Sequence, residues 1–179
     1  MSVIISLYKY VNIIVGFNCE VSVLFKMGLV NIVLLALLFT CGFAKVAVIT
    51  NCDETNENVC KVNEVRITPC TQTNKCLLRL GSDASISFDF TPNFSTSKLK
   101  TLVYWANGAV DLPFFGFGSN DACTYTSCPS QSDQLQTLNY NLHVSKKLPK
   151  GTYTLKWKVW DEDNDTSNLC CFKTTIRLA

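Results

Sequence analysis

The chain alternates strictly between apolar and polar side chains in one stretch, Tyr153-Thr154-Leu155-Lys156-Trp157-Lys158-Val159. Successive side chains of a β-strand point to opposite faces, so Tyr153, Leu155, Trp157 and Val159 share one face and the polar residues share the other. Such a stretch predicts a half-buried strand, which is typical of an antiparallel sheet with one face on the core.

The same period of two recurs through most of the chain after residue 45. Further strand candidates are residues 61–68, 75–80, 85–90, 99–106, 136–144 and 172–178. Turn-forming residues such as Asn107-Gly108 and Pro149-Lys150-Gly151 separate them. No window after residue 45 sustains the helical period of 3.6. Seven or so half-buried strands therefore predict an all-β fold, a two-sheet β-sandwich.

The composition excludes several classes of function. The 179 residues carry a net charge of +2 and only one histidine, and 47% of them are hydrophobic. A balanced charge argues against a nucleic-acid partner, and a high apolar content argues against disorder. A single histidine disfavours His-based metal sites and Ser-His or Cys-His catalysis. Phosphate-loop and nucleophile-elbow motifs are also absent from the sequence. We therefore expect no enzyme activity, cofactor or metal.

The N-terminus contains a segment typical of a secretory signal. Met27–Ala44 follows Lys26, contains an apolar run around residues 32–39 and ends in Gly42-Phe43-Ala44, so we expect cleavage after Ala44. The alternative is a membrane anchor, which needs about 20 apolar residues. We interpret residues 1–26 as an upstream extension or part of the leader. Residues 45–179 then form one domain.

Cysteine spacing in this domain favours disulfides over zinc. The eight cysteines are Cys52, Cys60, Cys70, Cys76, Cys123, Cys128, Cys170 and Cys171. They lack the paired Cys-x-x-Cys spacing of zinc sites, and a secreted domain favours bridges. Cys70–Cys76 and Cys123–Cys128 are natural local pairs. The remaining four tie the start of the domain to its last strand, but the spacing alone does not decide which pairs with which.

Several polar features have ordinary structural interpretations. His143 alternates outward on a strand, which favours a solvated residue. The acidic segment 161–165 lacks the Gly and Glu of a helical calcium loop, so we expect a hairpin turn. Asn93 and Asn164 begin N-glycosylation sequons in predicted loops, so each is a candidate glycan site, and the alternative is a sequon that is not used.

Large aromatic rings are unusually frequent for a sandwich of this size. The apolar loop 112–117 also holds more rings than a plain turn requires. The pattern permits two interpretations, an ordinary packed core or two sheets held apart around an apolar pocket whose lip is this loop. Under the second interpretation the candidate ligand-binding residues are Phe88, Phe90, Trp105, Phe114, Phe115, Tyr140, Val144, Leu148, Tyr153 and Trp157.

The cysteine-bearing segments resemble a known family. The segments that carry the resemblance are residues 63–70 with the short loop to Cys76, 87–92, 112–114, 122–129, the Trp157 strand and 169–172. Together they are similar, in collinear order over 50–179, to the Niemann-Pick type C-two family of secreted sterol carriers, within the ML lipid-recognition domain. The additional cysteines resemble the arthropod branch.

The resemblance implies an immunoglobulin-like sandwich whose sheets splay around a sterol or another lipid. The matching mouth positions are Phe114, Val144 and Leu148. Leu148 stands where the sterol carriers have an aromatic residue. The resemblance also implies the bridges Cys52–Cys171 and Cys60–Cys170.

Three functions follow as hypotheses. The first is a secreted or endolysosomal carrier that takes part in sterol transport. The second is a secreted binder of other small hydrophobic ligands, such as fatty acids, semiochemicals or microbial lipids. The third is a pocketless adhesion module. We expect a monomer whose partners are its lipid and either a membrane surface or a lipid-accepting membrane protein. Lys146, Lys147 and Lys150 beside the mouth have two interpretations, a contact with anionic membranes or a solvated loop.

Overall fold

The computed structural model describes residues 45–108, 110–114, 116–164 and 167–179. The expected leader and extension, residues 1–44, lie outside the described residues, as does Phe115. The strands of the described part are Lys45–Val46 (β1), Ile49–Asn51 (β2), Cys60–Thr68 (β3), Cys76–Leu78 (β4), Asp83–Pro92 (β5), Leu99–Asn107 (β6), Val110–Pro113 (β7), Gln136–His143 (β8), Gly151–Asp161 (β9) and Leu169–Leu178 (β10). A single 3-10 turn spans Ala122–Thr124.

Two sheets face each other, so the fold is the predicted immunoglobulin-like β-sandwich. The first sheet has the strand order β1-β3-β5-β8, and its neighbouring strands are antiparallel. The second has the order β2-β10-β9-β6-β7, also antiparallel, with β4 parallel to β10 beside β2. Within the described residues no helix is long and apolar enough to cross a membrane.

The alternation in β9 places its apolar side chains between the sheets. Leu155, Trp157 and Val159 are buried there, and they face the inward side chains of β5 and β8 in the opposite sheet. The predicted strands 85–90, 136–144 and 153–159 all lie within strands or at their ends. Burial of these apolar stripes is the main driving force of such a fold.

Three short strands lack a counterpart in the sequence analysis, namely β1, β2 and β7. Each has two to four residues, too few for an alternation to be recognised. They form because the edges of β3, β10 and β6 offer free backbone groups, which these segments pair.

Four disulfides join the described cysteines, with the pairing that spacing and resemblance imply. Cys70–Cys76 and Cys123–Cys128 close short loops. Cys52–Cys171 and Cys60–Cys170 span 119 and 110 residues. Because Cys170 and Cys171 are neighbours in one strand, they point to opposite faces, which is why each takes a different partner.

Candidate ligand-binding site

An apolar cavity lies between the two sheets. Its volume is about 20 Å³, room for about one water molecule, it opens partly to solvent, and the wall that faces it is apolar. This volume is far below the range of small-molecule sites, about 300–1,000 Å³, so the two sheets must move apart before a lipid can enter. The lining residues are Leu78, Ile86, Val103, Trp105, Phe114, Phe117, Tyr140, Leu142, Val144, Leu148, Leu155, Trp157, Ile176 and Leu178.

The cavity occupies one half of the sandwich, toward the end where β9 begins at Gly151. We call this the Gly151 end. Gly151 pairs there with Leu178, and Leu178 pairs with Leu78. On β9, Leu155 and Trp157 line the cavity, whereas the next inward residue, Val159, does not. Trp157 therefore marks the boundary between the cavity and the packed half.

Aromatic side chains fill the other half of the sandwich. The ring centroid of Phe88 lies 5.3 Å from that of Trp157 and 5.0 Å from that of Phe172. Phe90 lies against Phe88, with ring centroids 5.8 Å apart. Such close contacts leave no room for a ligand, so Phe88 and Phe90 form the floor behind Trp157.

The edge of the cavity on β6 and β7 is aromatic. Trp105 packs against Phe114, with ring centroids 4.8 Å apart, and against Tyr153, at 4.7 Å. The Tyr153 hydroxyl donates a hydrogen bond to the Pro149 carbonyl at 2.9 Å, which ties β9 to the preceding loop. In that loop Leu148 is partly exposed and lines the cavity.

The ten candidate ligand-binding residues of the sequence analysis therefore lie in different places. Six line the cavity: Trp105, Phe114, Tyr140, Val144, Leu148 and Trp157. Tyr153 lies beside it against Trp105. Phe88 and Phe90 lie in the packed half, and Phe115 is outside the described residues.

Eight further lining residues were not among those candidates, most of them aliphatic. They are Leu78, Ile86, Val103, Phe117, Leu142, Leu155, Ile176 and Leu178. Alternation carries part of the missing signal, since Ile86 shares the inward face of β5 with Phe88 and Leu142 shares that of β8 with Tyr140. Phe117 lies in a loop and so had no alternation; its signal was its place in the ring-rich loop 112–117, the expected lip of the pocket.

Two of the lining aromatics, Trp157 and Tyr140, have their polar groups hydrogen-bonded within the protein. The Trp157 indole N–H donates to Thr101 Oγ1 at 2.8 Å. The Tyr140 hydroxyl accepts a hydrogen bond from the Gly118 backbone N–H at 3.1 Å. Burial raises the pKa of Tyr140, so the phenol remains neutral at physiological pH. The site therefore suits an apolar ligand, which needs no charged partner in the cavity.

The Gly151 end carries most of the basic residues that make no ion pair within the described part of the chain. They are Lys45, Lys75, Arg79, Lys146, Lys147, Lys150 and Arg177. By contrast, the six cations Arg66, Lys98, Lys100, Lys156, Lys158 and Lys173 each contact a carboxylate. Asp83, a carboxylate at the Gly151 end, lies 2.7 Å from the exposed His143. This end of the molecule is therefore electropositive.

The expected glycan sites and acidic turn lie on the surface. Asn93 and Asn164 are exposed. The acidic turn differs from a fully solvated one because Asp161 is buried. Burial by itself raises the pKa of Asp161, but hydrogen bonds from Asn164, Thr96 and Asn168 outweigh it and lower the pKa overall. In the described residues, no group of three or more His, Cys, Asp or Glu side chains converges as metal ligands would.

Comparisons with known proteins agree with this architecture. A family model described as the ML domain matches residues 47–178. The chain is 49% identical over 153 residues to the MD-2-related lipid-recognition protein of Manduca sexta, covering 85% of this chain and 99% of that protein. It is 28% identical over 121 residues to NPC intracellular cholesterol transporter 2 homolog a of Drosophila melanogaster, covering 66% of this chain and 80% of that protein.

A solved structure has the same fold. The crystal structure of a Niemann-Pick type C2 protein from Japanese carpenter ant matches with a TM-score of 0.64 and 20% sequence identity. The match covers 74% of this chain and 99% of that chain. At this level of identity, the likeness establishes the shared sandwich and no more.

Proposed function

The chain belongs to the ML-domain family of lipid-recognition proteins, and on this premise we propose that it carries a sterol or a lipid of similar size in its inter-sheet cavity. Members of this family are binding proteins, so the chain is not an enzyme. The observation that carries the proposal is the apolar lining of the inter-sheet cavity, fourteen residues of which none is charged. Membership of a lipid-recognition family argues against the pocketless adhesion module.

The driving force for binding is the transfer of apolar surface out of water. Each Å² of buried apolar surface contributes about 25 cal/mol, so a ligand that buries a few hundred Å² gains several kcal/mol. A cavity of about 20 Å³ is too small for a lipid, so binding must widen the space between the sheets. Ring contacts such as Trp105 with Phe114 are the ones that opening would change.

A second candidate is a binder of other lipids, such as fatty acids or microbial lipids. It is favoured by the higher identity to the moth protein named for lipid recognition than to the fly protein named for cholesterol transport. Leu148 points the same way, since it replaces the aromatic residue of the sterol carriers at the mouth.

Binding to purified residues 45–179 distinguishes these candidates. We would titrate the protein with cholesterol, oleate and lipopolysaccharide and measure the heat of binding. Saturable binding of the sterol with weaker oleate binding supports the first candidate. The reverse order, or tight lipopolysaccharide binding, supports the second. Absence of binding to all three would contradict lipid carriage.

A matched pair of variants tests the location of the ligand. Val144→Phe enlarges a buried lining residue, whereas Val110→Phe makes the same change at a side chain that is 64% exposed and outside the cavity. We expect Val144→Phe to weaken binding by tenfold or more and Val110→Phe to leave it unchanged. Circular dichroism checks both folds, because overpacking costs about 1–3 kcal/mol. Equal affinity in both variants would place the ligand elsewhere.

The carrier approaches anionic membranes with its Gly151 end. Supporting this part of the proposal, the loop that contributes Val144 and Leu148 to the cavity also carries Lys146, Lys147 and Lys150, all exposed. Three basic residues near an anionic surface contribute about 3 kcal/mol, or about a hundredfold in partitioning. Replacing all three by Gln should abolish most vesicle binding. Lys61→Gln, an exposed lysine on β3, serves as the control.

We further propose how the protein is processed and where it is delivered. Residues 27–44 act as a signal peptide, residues 1–26 precede it, and the domain is secreted or delivered to the endolysosomal lumen as a glycosylated monomer. Supporting secretion, four disulfides join the described cysteines, as is typical of proteins of oxidising compartments. N-terminal sequencing after secretion from insect cells should begin at Lys45, and Asn93→Gln and Asn164→Gln should each remove one glycan. Any other N-terminus would revise the boundary.

A further inference from the structure

Residues 116–119 form a short loop that leaves the second sheet and returns to it. On its N-terminal side, the Phe114 N–H donates to the Val103 carbonyl of β6 at 2.8 Å. On its C-terminal side, the Asn120 carbonyl accepts from the Thr101 N–H at 2.9 Å. Because both anchors lie on one strand two residues apart, the loop is a local excursion that can move without disturbing the strand pairing. We call residues 116–119 the Phe117 loop.

Phe117 is the one side chain of this loop that enters the interior. Gly116, Gly118 and Ser119 are exposed, whereas Phe117 is partly buried and lines the cavity. Gly116 has a φ of +98°, which a residue with a side chain rarely adopts. The glycine thus permits the turn that directs the next ring inward.

The ring of Phe117 lies between the two sheets. It stacks on Tyr140 of the first sheet, with ring centroids 4.6 Å apart and an interplanar angle of 21°. Its edge-to-face contact with Trp157 of the second sheet has a centroid distance of 5.6 Å. Both partners line the cavity, so the ring occupies space that a longer ligand would need.

Two tyrosine hydroxyls hold the loop in this position. The Tyr140 hydroxyl accepts from the Gly118 N–H at 3.1 Å, and the Tyr125 hydroxyl accepts from the Ser119 N–H at 2.8 Å. A Cβ atom at Gly118 would lie 2.8 Å from the Tyr125 hydroxyl, so the close approach depends on glycine. The bond to Tyr125 is exposed, so water can replace it and the net energy of breaking it is small.

We propose that Phe117 is a specificity-determining residue, a movable end wall that sets how long a ligand the cavity accepts. The inference rests on the proposed lipid-carrying function. A short ligand needs only the sheets to part beside the ring, whereas a longer one must also displace the ring and break the bonds to Tyr125 and Tyr140. The cost of displacement falls only on longer ligands.

A series of saturated fatty acids from octanoate to stearate tests this role in residues 45–179. Each added methylene that becomes buried contributes about 0.8 kcal/mol, or about fourfold in Kd. In the unmodified protein we expect the affinity to stop improving at a limiting chain length. Phe117→Ala should extend that limit by two or more methylenes. Phe117→Leu, which keeps more of the volume, should extend it less.

The control variant is Phe94→Ala, which removes a buried ring that does not line the cavity. It should lower stability without moving the limiting chain length. An unchanged limit in both Phe117 variants would overturn the inference. A protein that binds no member of the series, with or without Phe117, would instead contradict the proposed function.

A second experiment tests the hydrogen bond between the Ser119 N–H and the Tyr125 hydroxyl without altering the cavity wall. Tyr125→Phe removes one hydroxyl acceptor from a residue that does not line the cavity. We expect it to increase the association rate of stearate about twofold to tenfold, the equivalent of one net hydrogen bond. Tyr104→Phe on β6 is the control. Binding of stearate to Tyr125→Phe at the unmodified rate would overturn the claim that the bond to Tyr125 holds the Phe117 ring in place.

Discussion

The indole N–H of Trp157 donates a hydrogen bond to the hydroxyl of Thr101 across the β9–β6 pair, over 2.8 Å. Both residues are buried, with Thr101 fully inaccessible and Trp157 2% exposed. The same Thr101 hydroxyl donates to the Lys158 carbonyl at 3.0 Å. Thr101 therefore holds the largest ring of the core at the boundary between the cavity and the packed half.

Replacing Thr101 by valine should destabilise the domain by about 1–3 kcal/mol. The shape is nearly conserved, but the buried Trp157 N–H loses its acceptor and bears the desolvation penalty. Urea unfolding followed by circular dichroism measures the change. Thr101→Ser retains the hydroxyl and should recover most of the loss. Equal stability of the valine and serine variants would show that the hydrogen bond contributes nothing.

Glu54 holds two lysines on the outer face of the second sheet. It contacts Lys156 and lies 2.9 Å from Lys158, while Asp111 contacts Lys156 at 2.7 Å. Burial alone would raise the pKa of Glu54, but hydrogen bonds from Lys156 and Lys158 dominate and lower it to about 2. Because the folded-state pKa is depressed, this contribution to stability is present above about pH 4.5 and disappears as the pH falls toward 2.

Glu54→Gln should therefore lower stability at neutral pH and flatten its acid dependence. We expect a loss of about 1–2 kcal/mol, because Glu54 is partly exposed and Asp111 still neutralises Lys156. Thermal unfolding at pH 7 and at pH 3 measures the effect. Glu57→Gln, an exposed glutamate outside this cluster, should leave the profile unchanged. An acid dependence of Glu54→Gln equal to that of the unmodified protein would contradict the assignment.

On the outer face of the first sheet, Arg66 of β3 forms a bidentate ion pair with Asp89 of β5. Both terminal guanidinium nitrogens donate to the Asp89 carboxylate at 2.7 Å, and Ser87 and Glu64 accept further hydrogen bonds. The Arg66 guanidinium is the main cause that lowers the pKa of Asp89. The stability from this pair is thus present above the usual carboxylate pKa and decreases on acidification.

Arg66→Lys should cost about 1 kcal/mol although the charge is retained, because an ammonium cannot reproduce the two parallel hydrogen bonds. The midpoint of urea unfolding measures it. The matched change Arg79→Lys alters an exposed arginine that makes no ion pair with described residues, and it should have no effect. Identical midpoints for both variants would show that the paired hydrogen bonds of Arg66 contribute nothing measurable to stability.

The two long-range disulfides are nested, with Cys60–Cys170 inside Cys52–Cys171. When one bridge is intact, the other closes a loop of only about ten residues in the unfolded chain. In the chain-entropy model a loop of that size is worth about 2.7 kcal/mol, whereas a loop of over a hundred residues is worth about 4.8 kcal/mol.

Removing either nested bridge by Cys→Ser pairs should thus cost about 2.7 kcal/mol, and removing both should cost about 7.5 kcal/mol. The combined loss exceeds the sum of the single losses because the second removal releases the long loop. Guanidinium unfolding of the three variants measures it. Strictly additive losses would mean that the unfolded-state entropy is not the source of the stabilisation.

Alternation in the sequence determined the sandwich because burial of one face is a local consequence of period two. The stretch around Trp157 and the strands 85–90 and 136–144 could be predicted in this way. Alternation alone predicts that the Lys156 side chain points to solvent. In the structure it is buried, because Glu54 and Asp111 from other segments of the chain pack against it.

The cysteine pairing was only partly determined by the sequence. Short spacing indicated Cys70–Cys76 and Cys123–Cys128, whereas Cys170 and Cys171 are adjacent and could each reach either distant partner. The face to which each of the two points depends on how β10 lies in the sandwich, which spacing does not show. The family resemblance therefore supplied the pairing that the structure contains.

The cavity was decided by the tertiary structure. Ile86 and Phe88 occupy equivalent inward positions two residues apart, but only Ile86 lies where the sheets leave space. Phe117 enters the interior because the hydroxyls of Tyr140 and Tyr125 accept hydrogen bonds from the backbone N–H groups of its loop. These are tertiary contacts that no strand pairing predicts. Local periodicity fixes which face a strand buries, whereas the separation of two sheets depends on contacts between residues far apart in the chain.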